Sequence, residues 1–151
     1  MIIYIDLDGV IADFDKARET HPLSKQTPYK GRPDKLPGIY EDLDPIPGSI
    51  EAVNSLLEDE RFEVFILSSA PWDNPDAWTH KRLWVEKYFG AAVRNKLILS
   101  KRKDLLRGDI LIDDLPWNGA RDFQGLWIRF GSEEYPDWSA VLPVLEEQVH
   151  A

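Results

Sequence analysis

The sequence predicts an α/β fold built on a central parallel sheet, on three observations. Five short apolar, β-branched runs recur along the 151 residues. Helical patterns lie between them, and strands alternating with helices imply a parallel sheet. Three runs end in a polar pair, Asp6/Asp8, Ser68/Ser69 and Asp113/Asp114. Ligands of such sheets sit at the carboxyl ends of the strands, so these pairs mark the place to look for chemistry.

The elements follow in order. Ile2–Leu7 reads as a buried strand that stops at the turn pair Asp8-Gly9. Phe14 starts a first helix. Ser49 is predicted to cap a helix whose Ile50, Val53, Leu56 and Leu57 share one face. Phe62–Leu67 is the second strand. Asn74-Pro75 starts a helix that ends at Gly90, with Trp84 and Tyr88 one turn apart. Lys96–Leu99, Asp109–Ile112 and Gly125–Phe130 are the remaining strands, and Leu105-Leu106 suggests a short helical turn before Gly108. Trp138–Val149 is predicted helical, with Pro143 as a point of kinking or restart.

The stretch Thr20–Gly48 differs from the rest. It holds six of the eleven prolines, together with Lys25, Lys30, Arg32 and Lys35. Loops this long are uncommon in a compact domain unless they are functional. Residues 15–48 are therefore expected to be an insertion over the strand ends, within a single domain of residues 1–151.

Composition removes several classes. There is no cysteine, so disulfide scaffolds and thiolate metal sites are excluded. His21, His80 and His150 fit no zinc spacing. No apolar run approaches the roughly 20 residues of a membrane span. The chain opens on a strand-like run rather than a basic leader, which reads as no signal peptide and a cytoplasmic location. A net charge of −9 argues against a nucleic-acid polymer as partner.

The pairs at the strand ends carry the chemistry. Asp6 and Asp8 would face the same way while the strand lasts. Two buried carboxylates repel unless a cation pairs with them. Asp113 and Asp114 add two more at another strand end. Taken singly, Asp-Gly is an ordinary turn pair and a terminal aspartate an ordinary helix cap. Together they point to a hard divalent cation, which prefers carboxylate and carbonyl oxygen. Ser68 and Ser69 offer hydroxyls, and Lys103 lies just before the fourth strand. Either would be an unremarkable turn or surface residue on its own.

The order DxDGV, a strand ending in Ser, Lys, then a strand ending in Asp-Asp resembles the four motifs of the haloacid dehalogenase (HAD) superfamily. Asp6–Phe14, Leu43–Val53, Phe65–Ser69 with Pro71, Trp84–Gly90 and Leu111–Pro116 resemble the 5'(3')-deoxyribonucleotidases, small phosphatases of nucleoside monophosphates. The resemblance implies a Rossmann-like three-layer α/β/α fold with a reduced cap. It implies Asp6 as a nucleophile forming an aspartyl-phosphate and Asp8 as the acid and base. Mg²⁺ would be held by Asp6, the Asp8 carbonyl and Asp113, with Asp114 in support. Ser68 would bind a phosphoryl oxygen and Lys103 would neutralise charge.

Substrate contacts are placed on Phe14, Ser69, Trp72, Lys30 and Arg32, with Tyr29 and Tyr40 as further aromatic candidates. Phe14 reads equally as a core residue. The partner implied is a small phosphomonoester; the oligomeric state is left open, a homodimer among the options. Three departures matter. The insertion is shorter than the cap of the animal enzymes, Leu115 stands where they carry Arg, and Ser68 stands where Thr is common. The short cap leaves room for a second reading, a HAD phosphatase of a different or larger substrate. A third is a phospho-accepting switch without turnover, which the acid at Asp8 disfavours.

Overall fold

The computed structural model describes residues 1–151. Strands β1 (Ile2–Ile5), β2 (Glu63–Ser68), β3 (Leu97–Leu99), β4 (Ile110–Asp113) and β5 (Leu126–Arg129) form one parallel sheet. Their order is β3-β2-β1-β4-β5. The chain winds outward from β1 on one side, then crosses back to β4. The reversal lies between β1 and β4, where a crevice opens outside the strand ends.

Alternation along the strands sorts the core into two faces. Ile3, Ile5, Val64, Ile66, Ile110, Ile112 and Ile128 belong to a cluster of 28 buried residues. Helices α2 (Ser49–Glu58), α3 (Pro75–Phe89) and α4 (Trp138–His150) supply the rest of that face through Val53, Leu56, Trp84, Val85, Val141 and Leu145. Each such side chain, fully buried, contributes about 1.5–3 kcal/mol relative to exposure. The opposite face carries Tyr4, Leu67 and Leu111. It is covered by 3-10 turns at Lys103–Leu105 and Ala120–Asp122, with Ala120 and Phe123 as the buried contacts. The α/β/α layering is thus uneven: long helices on one face and short turns on the other.

Two local expectations change. Ser49 is not the cap of α2; Gly48, in the left-handed region at φ 79°, holds that position. The buried Ser49 hydroxyl instead donates to the Ile11 carbonyl at 2.8 Å, tying α2 to the loop after β1. Pro143 does not restart α4, which runs unbroken across it. Asp137 caps that helix through Ala140 N–H, and the Trp138 indole donates to the Val10 carbonyl at 2.9 Å.

The insertion is more integrated than a loop laid over the site. It opens with α1 (Phe14–Thr20), and Leu36, Ile39, Tyr40 and Leu43 all lie in the main core. The Asn74 side chain, just before α3, donates to the Asp34 carbonyl at 2.9 Å. The Trp84 indole donates to the Leu43 carbonyl at 2.8 Å. Its second half is therefore fixed by burial and by polar contacts to α3.

Candidate active site

The site grows out of the ends of β1, β2 and β4. β1 ends at Ile5, and the Asp6 amide still donates to the Ile112 carbonyl at 2.9 Å, so Asp6 and Asp113 finish neighbouring strands. Both continue the alternation of Tyr4 and Leu111 and point to the face covered by turns. There they meet Lys103. Its Nζ donates to Asp6 Oδ1 at 3.0 Å and to Asp113 Oδ2 at 2.6 Å. Lys103 is only 2% exposed, so it is no surface lysine. Burial alone would drive its pKa down, but Asp6 and Asp113 outweigh that and raise it. The ammonium stays charged.

Past Asp6 the strand is over, and Leu7–Gly9 turns. Asp8 does not follow Asp6. Its Oδ2 accepts from Lys81 Nζ at 2.6 Å, on the helix-covered face. The same ammonium donates to Ser68 Oγ at 2.8 Å and to the Ser69 carbonyl at 2.7 Å. The Tyr40 ring lies 4.4 Å from it, and Tyr40 stacks on Phe14 at 5.3 Å. The other carboxylate oxygen, Asp8 Oδ1, is buried with no partner. Desolvation raises the Asp8 pKa, with Lys81 working against the rise.

Lys81 escaped the sequence reading, although a signal existed. It falls on the buried stripe of α3 with Ala77, Trp84 and Val85. A lysine on an apolar stripe is almost never fully buried unless paired, so its place predicts a buried anion.

Carboxylate oxygens of Asp6, Asp113 and Asp114 lie within 4.8 Å of one another. Burial, then the neighbouring carboxylates, push the Asp6 and Asp114 pKa values up. Lys103 supplies one positive charge against three acidic groups, and a divalent cation would complete the balance. The donor set, all oxygen and all acidic, fits such a cation. The Asp8 carboxylate is not in this group, being turned to Lys81. Gly9 makes the cluster possible. Its φ of 83° suits glycine, and a Cβ there would collide with the Asp114 carboxylate.

The remaining candidates are more dispersed. The Ser69 hydroxyl accepts from Asn118 Nδ2 at 3.2 Å, joining the loop after β2 to the loop after β4. Trp72 is 84% exposed on the first of these loops, and Trp117 is exposed on the second. Phe14 is half-buried against Tyr40 rather than free on both faces. Tyr40 itself is buried between Phe14 and Lys81, so it cannot serve as an open platform for a base. Tyr29 is half-buried against the core. Lys30 is exposed, whereas Arg32 is already paired with Asp34 at 3.2 Å and near Asp73 at 3.9 Å.

Comparison with known proteins shows the family. Residues 20–136 match the family described as 5' nucleotidase, deoxy (pyrimidine), cytosolic type C protein. A protein of Vibrio phage KVP40, provisionally named a 5'(3')-deoxyribonucleotidase, is 44% identical over 97% of this chain and 85% of its own. The human 5'(3')-deoxyribonucleotidase, cytosolic type, is 30% identical over 93% of this chain and 78% of its own. A Bordetella bronchiseptica protein with the same provisional name as the phage protein is 35% identical over 77% of this chain and 75% of its own.

Proposed function

Since the chain belongs to the 5' nucleotidase, deoxy (pyrimidine), cytosolic type C family, a group of phosphoric monoester hydrolases, we propose that it is a Mg²⁺-dependent 5'(3')-deoxyribonucleotidase. It converts nucleoside monophosphates to nucleoside and inorganic phosphate. The observation that carries this reading is the separation of two carboxylates that lie two residues apart. Asp6 sits in the Lys103 and Asp113 network, and Asp8 is held apart by Lys81.

An Asp6 oxygen attacks phosphorus and the bond from phosphorus to the nucleoside oxygen breaks. Asp8, whose raised pKa suits it to carry a proton, delivers that proton to the departing oxygen. Water then attacks the phosphorus of the aspartyl-phosphate while Asp8 takes back a proton. Asp6 is released as a carboxylate beside inorganic phosphate. Lys103 holds Asp6 oriented and offsets negative charge on the transferring group. Mg²⁺, held by Asp6, Asp113 and Asp114, supplies further neutralisation of that charge when bound. The Ser68 hydroxyl, which donates to the Ser69 carbonyl at 3.2 Å, would turn that proton to a phosphoryl oxygen. A cytoplasmic location belongs to the same proposal, on the likeness to the human relative of cytosolic type.

A second reading, a phosphatase of larger substrates, draws on the open rim at Trp72 and Trp117. One assay separates the two. Phosphate release is measured over deoxyribo- and ribonucleoside monophosphates and small esters, with Mg²⁺ or EDTA, beside Asp6→Asn. The proposal expects Mg²⁺-dependent turnover favouring deoxynucleotides, and a loss of at least about 10³-fold in Asp6→Asn. Turnover of generic esters alone supports the second reading. Full activity in EDTA removes the metal, and near-native activity in Asp6→Asn removes the nucleophile.

A further inference from the structure

Two buried lysines face the strand ends, and their hydrogen bonding differs. An ammonium has three protons to donate. Lys103 uses two, on Asp6 and Asp113, which leaves one direction for a phosphoryl oxygen. Lys81 uses all three, on Asp8 Oδ2, Ser68 Oγ and the Ser69 carbonyl. The Tyr40 ring closes its remaining side. Lys81 is 1% exposed. It cannot take hold of a substrate phosphate without giving up a bond to Asp8, Ser68 or Ser69.

We infer that Lys81 is a positioning residue for the proton-transferring carboxyl of Asp8, not a phosphate-binding residue. Holding Oδ2 at 2.6 Å, it fixes how the Asp8 carboxyl is turned at the strand ends. By gripping Ser68 and the Ser69 carbonyl as well, Lys81 locks the end of β2 to the turn after β1. The Phe14–Tyr40 stack backs this arrangement, so the aromatic residues of the insertion reach the chemistry through Lys81. The inference rests on the phosphatase reading above and adds a role to a residue outside the four motifs.

The dependence on leaving group tests it. A sugar hydroxyl is a poor leaving group and needs a proton, whereas p-nitrophenolate leaves without one. The ratio kcat/KM reports steps up to departure of the leaving group, before Asp8 is needed to activate water. Lys81→Met keeps the length of the side chain and removes the donors. With Mg²⁺ present, its kcat/KM on deoxynucleotides is expected to fall about 100-fold or more, and on p-nitrophenyl phosphate less than about 5-fold. Equal losses on the two substrates overturn the inference, as does a rise in KM alone, which marks a phosphate-binding group.

Tyr40→Leu keeps the test open if Lys81→Met does not fold. It removes the ring from Lys81 and touches no polar group of the site. It should shift the same substrate ratio by about 3- to 10-fold. An unchanged ratio counts against the inference. Wild-type turnover of deoxynucleotides is read separately. If it is present while the variants leave the ratio unchanged, only the role of Lys81 falls. A wild-type protein inert towards nucleotides overturns both.

Discussion

Asp114 is the residue on which the proposed metal site turns. In the metal-free protein its carboxyl is pushed up by burial and by Asp6 and Asp113. An acid whose folded pKa is raised binds more protons when folded. Its contribution to stability therefore falls as pH climbs above the ordinary carboxylate range near 4. Metal-free protein should melt at lower temperature at pH 8 than at pH 5, and Mg²⁺ should restore more at pH 8. Asp114→Asn removes the repelling charge. It should raise the metal-free melting temperature at pH 8 and shrink the Mg²⁺-induced shift, both read by thermal denaturation. If the variant melts lower and keeps the full Mg²⁺ shift, Asp114 is no part of the cluster. Phe14 poses a different question, since one face of its ring is already used by Tyr40. Phe14→Ala should cost deoxynucleotides about 10-fold in kcat/KM if the other face stacks a base, and spare p-nitrophenyl phosphate. Equal losses return Phe14 to the core.

Elements were legible to the extent that their pattern was local. All five strands appear where apolar runs place them, each within a residue or two of its expected ends. α3 begins at Pro75 and stops before Gly90, because proline presets the first turn and glycine ends the last. Ser49 was misplaced because its hydroxyl has a long-range partner, Ile11, that no window of sequence contains. Pro143 is tolerated because Val141 and Leu145 hold the flanking turns against the core, outweighing the one hydrogen bond that proline forgoes. A comparable long-range tie joins the end of α2 to α4. Arg61 pairs with Asp59 and with Glu146, and hydrogen bonds from the Arg61 side chain and backbone N–H hold the Asp59 carboxyl down at about 2. An acid with a lowered folded pKa stabilises above its unfolded value near 4, and that stability is lost as pH falls towards 2. Arg61→Ala should lower the melting temperature at pH 7, with the gap to wild type narrowing between pH 4 and 2. A gap constant across that window would show that the tie acts through packing alone.

At the scale of the whole molecule, charge opposes function. The chain carries −9, yet the proposed substrate is an anion. Lys103 keeps one donor direction free, but it is buried and paired with Asp6 and Asp113, so a phosphate in solution meets the net negative surface first. Salt screens that outer repulsion over about 10 Å at 0.1 M while leaving the buried pairs nearly untouched. With Mg²⁺ saturating, kcat/KM for deoxynucleotides should rise about 2- to 3-fold between 10 and 150 mM salt. A steady fall over that range would instead indicate a local positive field at the entrance, with exposed Lys30 as the residue to substitute.

Sequence by itself determined the parallel α/β architecture, the strand ends that bear Asp6, Asp8, Ser68, Asp113 and Asp114, and the family resemblance. Each rests on residues close together in the chain, where strand alternation and turn chemistry act directly. Only the tertiary structure decided which cation meets which carboxylate. Asp6 and Asp8 are two residues apart, but the strand is over past Asp6 and the chain turns at Leu7–Gly9, sending one to Lys103 and the other to Lys81. Those partners lie 97 and 73 residues away along the chain and approach from opposite faces of the sheet. Burial enforces both choices, since a buried carboxylate far from any cation is too costly to keep, and only the assembled fold determines which lysine lies within reach.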